Sequence, residues 1–121
     1  MIEDDLRSIL ADEFDVDVYA RLIPPELPEC IMVQEVGGRS SAAGVRRNYH
    51  TISVMAVSSD RETAGQRMRD ARNFLTASLP ADVGGTHYYT AVPLADGNLK
   101  MKAKRGPVYI AFVDIEVGCS I

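Results

Sequence analysis

The side chains with the most chemical potential in this chain are two cysteines and two histidines, Cys30, Cys119, His50 and His87. A cysteine nucleophile needs a histidine base, and a structural zinc site needs ligands at short spacings such as C-x-x-C. Neither cysteine belongs to such a motif, and both lie at the ends of predicted strands. We therefore expect buried free thiols and packed or surface histidines, with no catalytic residue and no metal site.

Phosphate and nucleic-acid binding are also weakly supported. The glycine pairs at 37–38 and 84–85 fit neither the GxGxxG pattern nor the Walker pattern, so no nucleotide cofactor is predicted. Tyr88 and Tyr89 could stack on bases, but adjacent residues of a strand point to opposite faces. Because the net charge is also -4, nucleic-acid binding stays a lesser alternative.

The charges are unevenly distributed along the chain. Residues 1–29 hold nine acids and two arginines, whereas residues 30–80 hold seven arginines and four acids. The last third is neutral. Such asymmetry favours head-to-tail association of identical subunits, and solvated charge without a partner is the alternative.

Basic side chains concentrate in two places. The glycine- and serine-rich segment at 37–48 is predicted to be a mobile loop, and its length makes it the first place to expect a partner contact. Lysines at alternate positions from Lys100 to Lys104 mark one face of a predicted edge strand. The basic residues in question are Arg39, Arg46, Arg47, Lys100, Lys102 and Lys104.

These side chains must be positioned by a small α+β domain. Apolar residues at helical spacing predict a first helix from Ile2 to Phe14, and the strand YHTISVMAV precedes a second helix that Ser59 and Glu62 would start as a capping box. A turn is predicted at 96–98 between two strands. The full order is α-β-β-β-α-β-β-β, with two helices packed on a largely antiparallel or mixed sheet in one domain, 1–121.

No membrane association is predicted. The longest apolar run, Val108–Val113, is far shorter than the roughly 20 residues that a spanning helix requires. The first residues are acidic, where a secretory signal would be basic and then apolar. We expect a protein that is cytoplasmic when it is made.

Several segments resemble one known group of proteins. The strand YHTISVMAV, a helix containing RMRDARNFL and a closing hairpin into GPVYIAFVDIEV are similar to the tail terminator and minor tail (minor capsid) proteins of long-tailed bacteriophages and prophages. The segment LIPPELPECIMVQEVGG resembles the same group. The resemblance covers nearly the whole chain and is one of pattern.

The resemblance implies a non-enzymatic virion protein, made in the cytoplasm of a bacterial host. Its subunits would form a homo-hexameric ring on the head-proximal end of the tail tube, with monomers in solution as an alternative state. The ring would stop tube polymerisation, bind the tail tube protein and the head completion protein, and let DNA pass without specific binding. The six basic residues named above are the predicted subunit or tail-tube contacts.

Two other readings stay open. The chain could be a different head-tail joining protein, such as a head completion or connector subunit, which would share this composition and differ in its neighbours. It could also be a cytoplasmic α+β binding module or small enzyme. A pocket that gathers a histidine or a cysteine with a carboxylate would favour this last reading.

Overall fold

The computed structural model describes residues 2–21, 29–40, 47–103 and 106–120. Helix α1 spans Ile2–Glu13 and helix α2 spans Arg61–Ser78. The strands are β1 Asp17–Ala20, β2 Cys30–Ser40, β3 Arg47–Ser58, β4 Ala81–Val83, β5 Thr86–Ala103 and β6 Gly106–Ser120. The predicted order α-β-β-β-α-β-β-β is confirmed, although two of the strands are not those that were predicted.

All six strands form one curled, mixed sheet in the order β1-β2-β3-β6-β5-β4. Only β1 and β2 run parallel; every other neighbouring pair in the described sheet is antiparallel. The central pair, β3 and β6, stays in register from Arg47 opposite Ser120 to Ser58 opposite Tyr109. The predicted α+β class is therefore confirmed, with long strands at the centre of the sheet and short ones at its margins.

Both helices cover the same face of this sheet. Alternate residues of β3 (Ile52, Val54, Ala56) point to this face, as the period of two requires. They meet the apolar stripes of the two helices, in which Leu10 and Leu75 are almost fully buried. The core thus lies between one face of the sheet and a layer of two helices.

A smaller cluster lies on the other face of the sheet. It comprises Cys30, Met32, Val57, Val108 and Ile110. Burial raises the pKa of the Cys30 thiol to about 11, and it also raises the pKa of the Cys119 thiol in the main core. The prediction of buried free thiols is confirmed, and both sulfurs stay protonated at neutral pH.

The first turn of α1 connects distant parts of the sheet. The buried carboxylate of Glu3 accepts a hydrogen bond from the Glu35 backbone N–H of β2 at 2.9 Å and one from Arg21 at 3.3 Å. Two residues along the helix, Asp5 accepts a hydrogen bond from the hydroxyl of Tyr88 in β5. Because Glu3 and Asp5 bind strands on different sides of the sheet, α1 holds the sheet in its curled form.

The second helix begins one residue later than the predicted capping box. Asp60 is the N-cap, and its side chain accepts a hydrogen bond from the Thr63 backbone N–H at 3.0 Å. The hydrogen bonds from Thr63 hold the pKa of Asp60 below its usual value. The predicted capping box of Ser59 and Glu62 is wrong. The helix starts at Arg61, so Asp60 occupies the N-cap position, and aspartate caps a helix as well as serine does.

The turn predicted at 96–98 is also wrong, since β5 runs through this segment without a break. Gly97 pairs with Phe112 of β6, and a Cβ at Gly97 would lie 2.7 Å from the ring. The missing side chain thus makes room for an aromatic neighbour. Asp96 lies 4.0 Å from Arg72 of α2, which gives its carboxylate a partner on the helix.

A strand that was not predicted takes the place of the lost one. Gly84 and Gly85 both have positive φ, 58° and 83°, as a two-residue hairpin turn requires. This turn pairs the three residues of β4 with the start of β5. A Cβ at Gly84 would collide with the carboxylate of Asp5, so glycine is needed here for space as well.

The loop predicted at 37–48 is wrong at both ends. Residues 37–40 belong to β2 and pair with residues 48–51 of β3 after a register shift between Glu35 and Gly37. A bulge of this kind lets strand pairing continue through a glycine pair. Residues 41–46, the centre of the predicted loop, lie outside the described residues.

The packing of α2 on the sheet can be tested with a matched pair of substitutions. Leu75→Ala removes a side chain that is 1% exposed, and it should lower the free energy of unfolding by about 2–5 kcal/mol. Leu99→Ala makes the same change at a side chain that is 55% exposed. In the dilute chain this control should change stability by less than about 0.5 kcal/mol, measured by urea denaturation. Equal losses for the two variants would contradict the described packing.

The contacts of Glu29 predict a dependence of stability on pH. Burial tends to raise the pKa of Glu29, but hydrogen bonds from Ser58 and Ser59, together with Arg67, lower it below 4.5 overall. A depressed folded-state pKa stabilises the fold above the unfolded-state pKa, and this contribution is lost as the pH falls through the folded-state value.

Glu29→Gln should therefore lower the free energy of unfolding at pH 7, by at most about 1 kcal/mol because the carboxylate is partly exposed. The difference from the parent chain should shrink below about pH 4.5, as the parent carboxylate becomes protonated. Urea denaturation at a series of pH values measures this difference. A difference that grows on acidification would show that the carboxylate is not stabilised by these partners.

Candidate interaction surface

The structure separates the four described residues among the six predicted contacts into two groups. In the sheet register, Arg39 and Arg47 lie at the end where β6 finishes, since Arg47 is opposite Ser120. Lys100 and Lys102 lie at the other end, opposite Tyr109 and Pro107. The twelve residues of β3 separate these ends by about 35 Å at 3.3 Å per residue. Arg46 and Lys104 lie outside the described residues.

Among these residues Lys100 has a defined side-chain contact. Its ammonium group lies 5.8 Å from the centre of the Tyr109 ring, on the neighbouring strand. The side chain remains exposed, so this cation–π contact adds little stability and leaves the charge available to a partner.

The histidines each face a single carboxylate. His50 Nδ1 lies 2.5 Å from Glu35, and His87 Nδ1 lies 2.6 Å from Asp82. The His87 ring also meets Tyr89 edge-on, with ring centres 4.6 Å apart. Carboxylates orient imidazole rings in this way both on protein surfaces and in active sites, so the arrangement alone does not indicate catalysis. Within the described ranges, no three His, Cys, Asp or Glu side chains are arranged to hold a metal ion.

An open groove of about 830 Å³ lies beside the first turns of α2. Its lining mixes acids and bases of α2 with Asn98 of β5, and it includes neither histidine nor cysteine. The groove therefore does not gather the groups that would favour a small enzyme. Its polar walls fit solvent and small polar molecules equally well.

The outer edge of β5 is the most unusual surface of the described structure. β4 pairs only with Thr86, His87 and Tyr88, while β5 itself continues to Ala103. In the part of the chain that the structure describes, residues 90–103 have a strand on one side only, β6. We call residues 90–103 the free edge of β5. Natural proteins usually keep such edges short or cover them, because exposed backbone donors and acceptors pair with other strands.

This free edge is also apolar. The exposed large hydrophobic side chains of the described residues are Val36, Val92, Leu94, Leu99 and Met101, with exposures of 54, 49, 55, 55 and 44%. All but Val36 lie on the free edge of β5. A long strand edge with a row of exposed apolar side chains is typical of a surface that another chain covers.

The fifth exposed residue, Val36, marks a second and shorter free edge on β2. β1 pairs only with residues 30–33 of β2. The next backbone groups are capped, because Arg21 N–H donates to the Val33 carbonyl at 3.1 Å and Glu3 accepts from Glu35 N–H. Residues 36–40 follow without a described strand on that side, and we call them the free edge of β2.

The sequence indicated only part of this surface. The alternation of Leu99 and Met101 with lysines pointed to an edge strand, but the turn predicted at 96–98 separated them from Val92 and Leu94. The two halves are joined by the pairing of Gly97 with Phe112, which the register of β5 and β6 reveals and the sequence does not.

Comparison with known families finds no family model that matches this chain, and a search of curated proteins finds no match. In the described residues, neither helix combines the length and the apolar composition that crossing a bilayer requires. The candidate site is a free, apolar strand edge with basic residues at the two ends of the sheet.

The role of the free edge of β5 can be tested by placing a charge on it. The single substitutions Leu94→Glu and Leu99→Glu should each raise the dissociation constant of self-association by about tenfold or more. Burial of a leucine contributes about 1.5–3 kcal/mol, and 1.4 kcal/mol corresponds to a factor of ten. Sedimentation velocity over a range of concentrations measures the association.

Asn73→Glu adds the same charge to an exposed position on α2 and is the control. This control should associate like the parent chain. If all three variants behave like the parent, the free edge of β5 is not an association surface.

Proposed function

We propose that this chain is a non-enzymatic structural subunit of the tail terminator type. Copies of it form a ring that caps the head-proximal end of a phage or prophage tail tube and joins the tail to the head. Its partners are further copies of itself, the tail tube protein and the head completion protein. DNA passes through the ring without specific binding.

The observation that carries this proposal is the free, apolar edge of β5. A monomeric protein gains nothing from leaving the outer backbone of the fourteen residues 90–103 and four large apolar side chains uncovered, as they are in the described part of the chain. A subunit of an assembly covers them with its neighbour. The order of elements that carries the resemblance to tail terminators supports the same reading, since three of the four quoted segments lie in β3, α2 and β6.

The separation of the basic residues adds a second support. Arg39 and Arg47 lie at one end of the strands, and Lys100 and Lys102 lie at the other. In a ring whose strands run along its axis, these ends become the two axial faces. One basic group would then face the tail tube protein and the other the head completion protein.

A different head-tail joining role is the second candidate, because the same edge and the same basic ends would serve a head completion or connector subunit. The binding-module reading draws on the polar groove beside α2, whose mixed charges give no preference for a ligand class. These three roles differ in what the chain binds, and a tube-assembly experiment separates them.

The decisive measurement is the length of the tail tubes that assemble in the presence of this chain. The tail tube protein encoded in the same gene cluster is polymerised with and without this chain, and the tubes are measured by negative-stain electron microscopy. The chain should shorten the tubes in a dose-dependent way and should be seen as a ring at one tube end. Leu94→Glu should lose most of this effect, whereas Asn73→Glu should keep it.

Unchanged tube lengths, with no density at tube ends, would contradict the terminator role. Binding to heads in place of tubes would favour the completion or connector role. A chain that stays monomeric with both components, yet binds a small molecule in the groove beside α2, would favour the binding module.

A further inference from the structure

The described sheet has two free edges, and they lie on opposite sides of the strand order. The free edge of β2 belongs to the side that begins with β1, and the free edge of β5 belongs to the side that ends with β4. A contact between unlike edges of two copies leaves one free edge at each end of the pair. Such a heterologous contact can repeat, and it closes into a ring when the rotation between copies allows.

The strand directions favour this contact. β2 runs antiparallel to β3, β3 to β6, and β6 to β5, so β2 and β5 run in opposite directions within one subunit. Copies related by rotation about an axis along the strands keep these directions. The β5 strand of one copy therefore meets the β2 strand of the next in antiparallel orientation, the better hydrogen-bonded arrangement.

The apolar side chains of the two edges lie at the same height along the strands. Val36 falls between Glu35 and Gly37, which are level with Ile52 and Thr51 of β3. These in turn are level with Pro93 and Val92 of β5, through Ile115 and Glu116 of β6. Without any axial shift, Val36 of one copy thus faces Val92 and Leu94 of its neighbour, and all three are about half exposed in the single chain.

Three backbone groups of the β2 side are already engaged. Arg7 donates to the Val18 carbonyl at 3.5 Å, Arg21 N–H to the Val33 carbonyl, and Glu3 accepts from Glu35 N–H. This leaves residues 36–40 open to another strand. β5 has a register shift between Pro93 and Ala95, at the height where the free edge of β2 begins. A bulge bends a strand, so the rest of β5 can pass β1 without a clash.

We propose that copies of this chain associate by strand addition, with the free edge of β5 of one copy pairing antiparallel with the free edge of β2 of the next. The sheet then continues from subunit to subunit. The inference rests on the self-association in the proposed function and is independent of the phage role.

Engineered cysteines test which edges meet. Val36→Cys and Leu94→Cys are made singly and together, and disulfide formation is followed on non-reducing gels after mild oxidation. The native Cys30 and Cys119 are 0% and 5% exposed, so the parent chain controls for their reaction. On these gels each single variant should run mainly as a monomer without a disulfide cross-link. An equal mixture of the two should give several-fold more cross-linked dimer, and the double variant should give a ladder of cross-linked multimers.

Strong dimer formation by Leu94→Cys alone would show that two β5 edges meet each other, and it would overturn the proposal. A mixture that forms no more dimer than its separate components would overturn it as well. Because the readout needs no tube protein, cross-linked multimers that fail to shorten tubes would reject the terminator role and leave the strand contact intact.

Hydrogen exchange provides a second measurement that needs no substitution. Amides of residues 90–94 (Pro93 has none) and 36–40, which face each other in this register, should exchange more slowly as the protein concentration rises, because strand addition hydrogen-bonds the backbone. Amides of α2 serve as the internal reference and should not change. Association that slows neither edge would mean that the copies meet through another surface.

Discussion

Backbone hydrogen bonding at the margins of the sheet is the constraint on which the rest of this structure depends. Every strand residue except proline carries one donor and one acceptor, and half of these groups on a marginal strand point away from the sheet. The central β6 pairs along most of its fifteen residues with β3 on one side and β5 on the other, so β5 must be long. The three residues of β4 then cannot cover it. The free edge is a consequence of the length of the central strands.

The two sides of the sheet meet this constraint differently, and α1 makes the difference. Its Glu3 and Arg7 bind backbone groups of β2 and β1, and Arg21 completes the series at the end of β1. On the other side Asp5 binds only the start of β5, through Tyr88. Burial and this hydrogen bond raise the pKa of Tyr88 above its usual value, so the hydroxyl remains a donor at neutral pH. The β2 side of the sheet is thus closed by these contacts up to Glu35, whereas the β5 side has a contact of this kind only at its start.

Local signals in the sequence predicted the helices and strands well where burial of apolar residues on one face is the only requirement. The alternation in β3 and the apolar stripe of α2 gave the right elements because burial on one face decides both patterns. The errors fall on glycines and short strands. Gly97 reads as a turn residue, yet it accommodates the ring of Phe112, a neighbour that only the register of β5 and β6 reveals. β4 is three residues long, too short for any periodicity, and it exists because of the turn at Gly84 and Gly85.

The candidate surface was harder to predict, because charge is visible in a sequence and an uncovered strand edge is not. Basic residues such as Arg39 and Lys100 drew attention to the ends of the sheet, while the edge between those ends is defined by where β4 and β1 stop. In the proposed ring these two kinds of surface have different tasks. Strand addition along the edges buries backbone and apolar groups and depends little on salt, whereas contacts of exposed basic groups at the axial ends are screened within about 8 Å at physiological ionic strength. In such a ring the strand contacts between subunits are strong, and the salt-dependent contacts with the axial partners can rearrange during assembly.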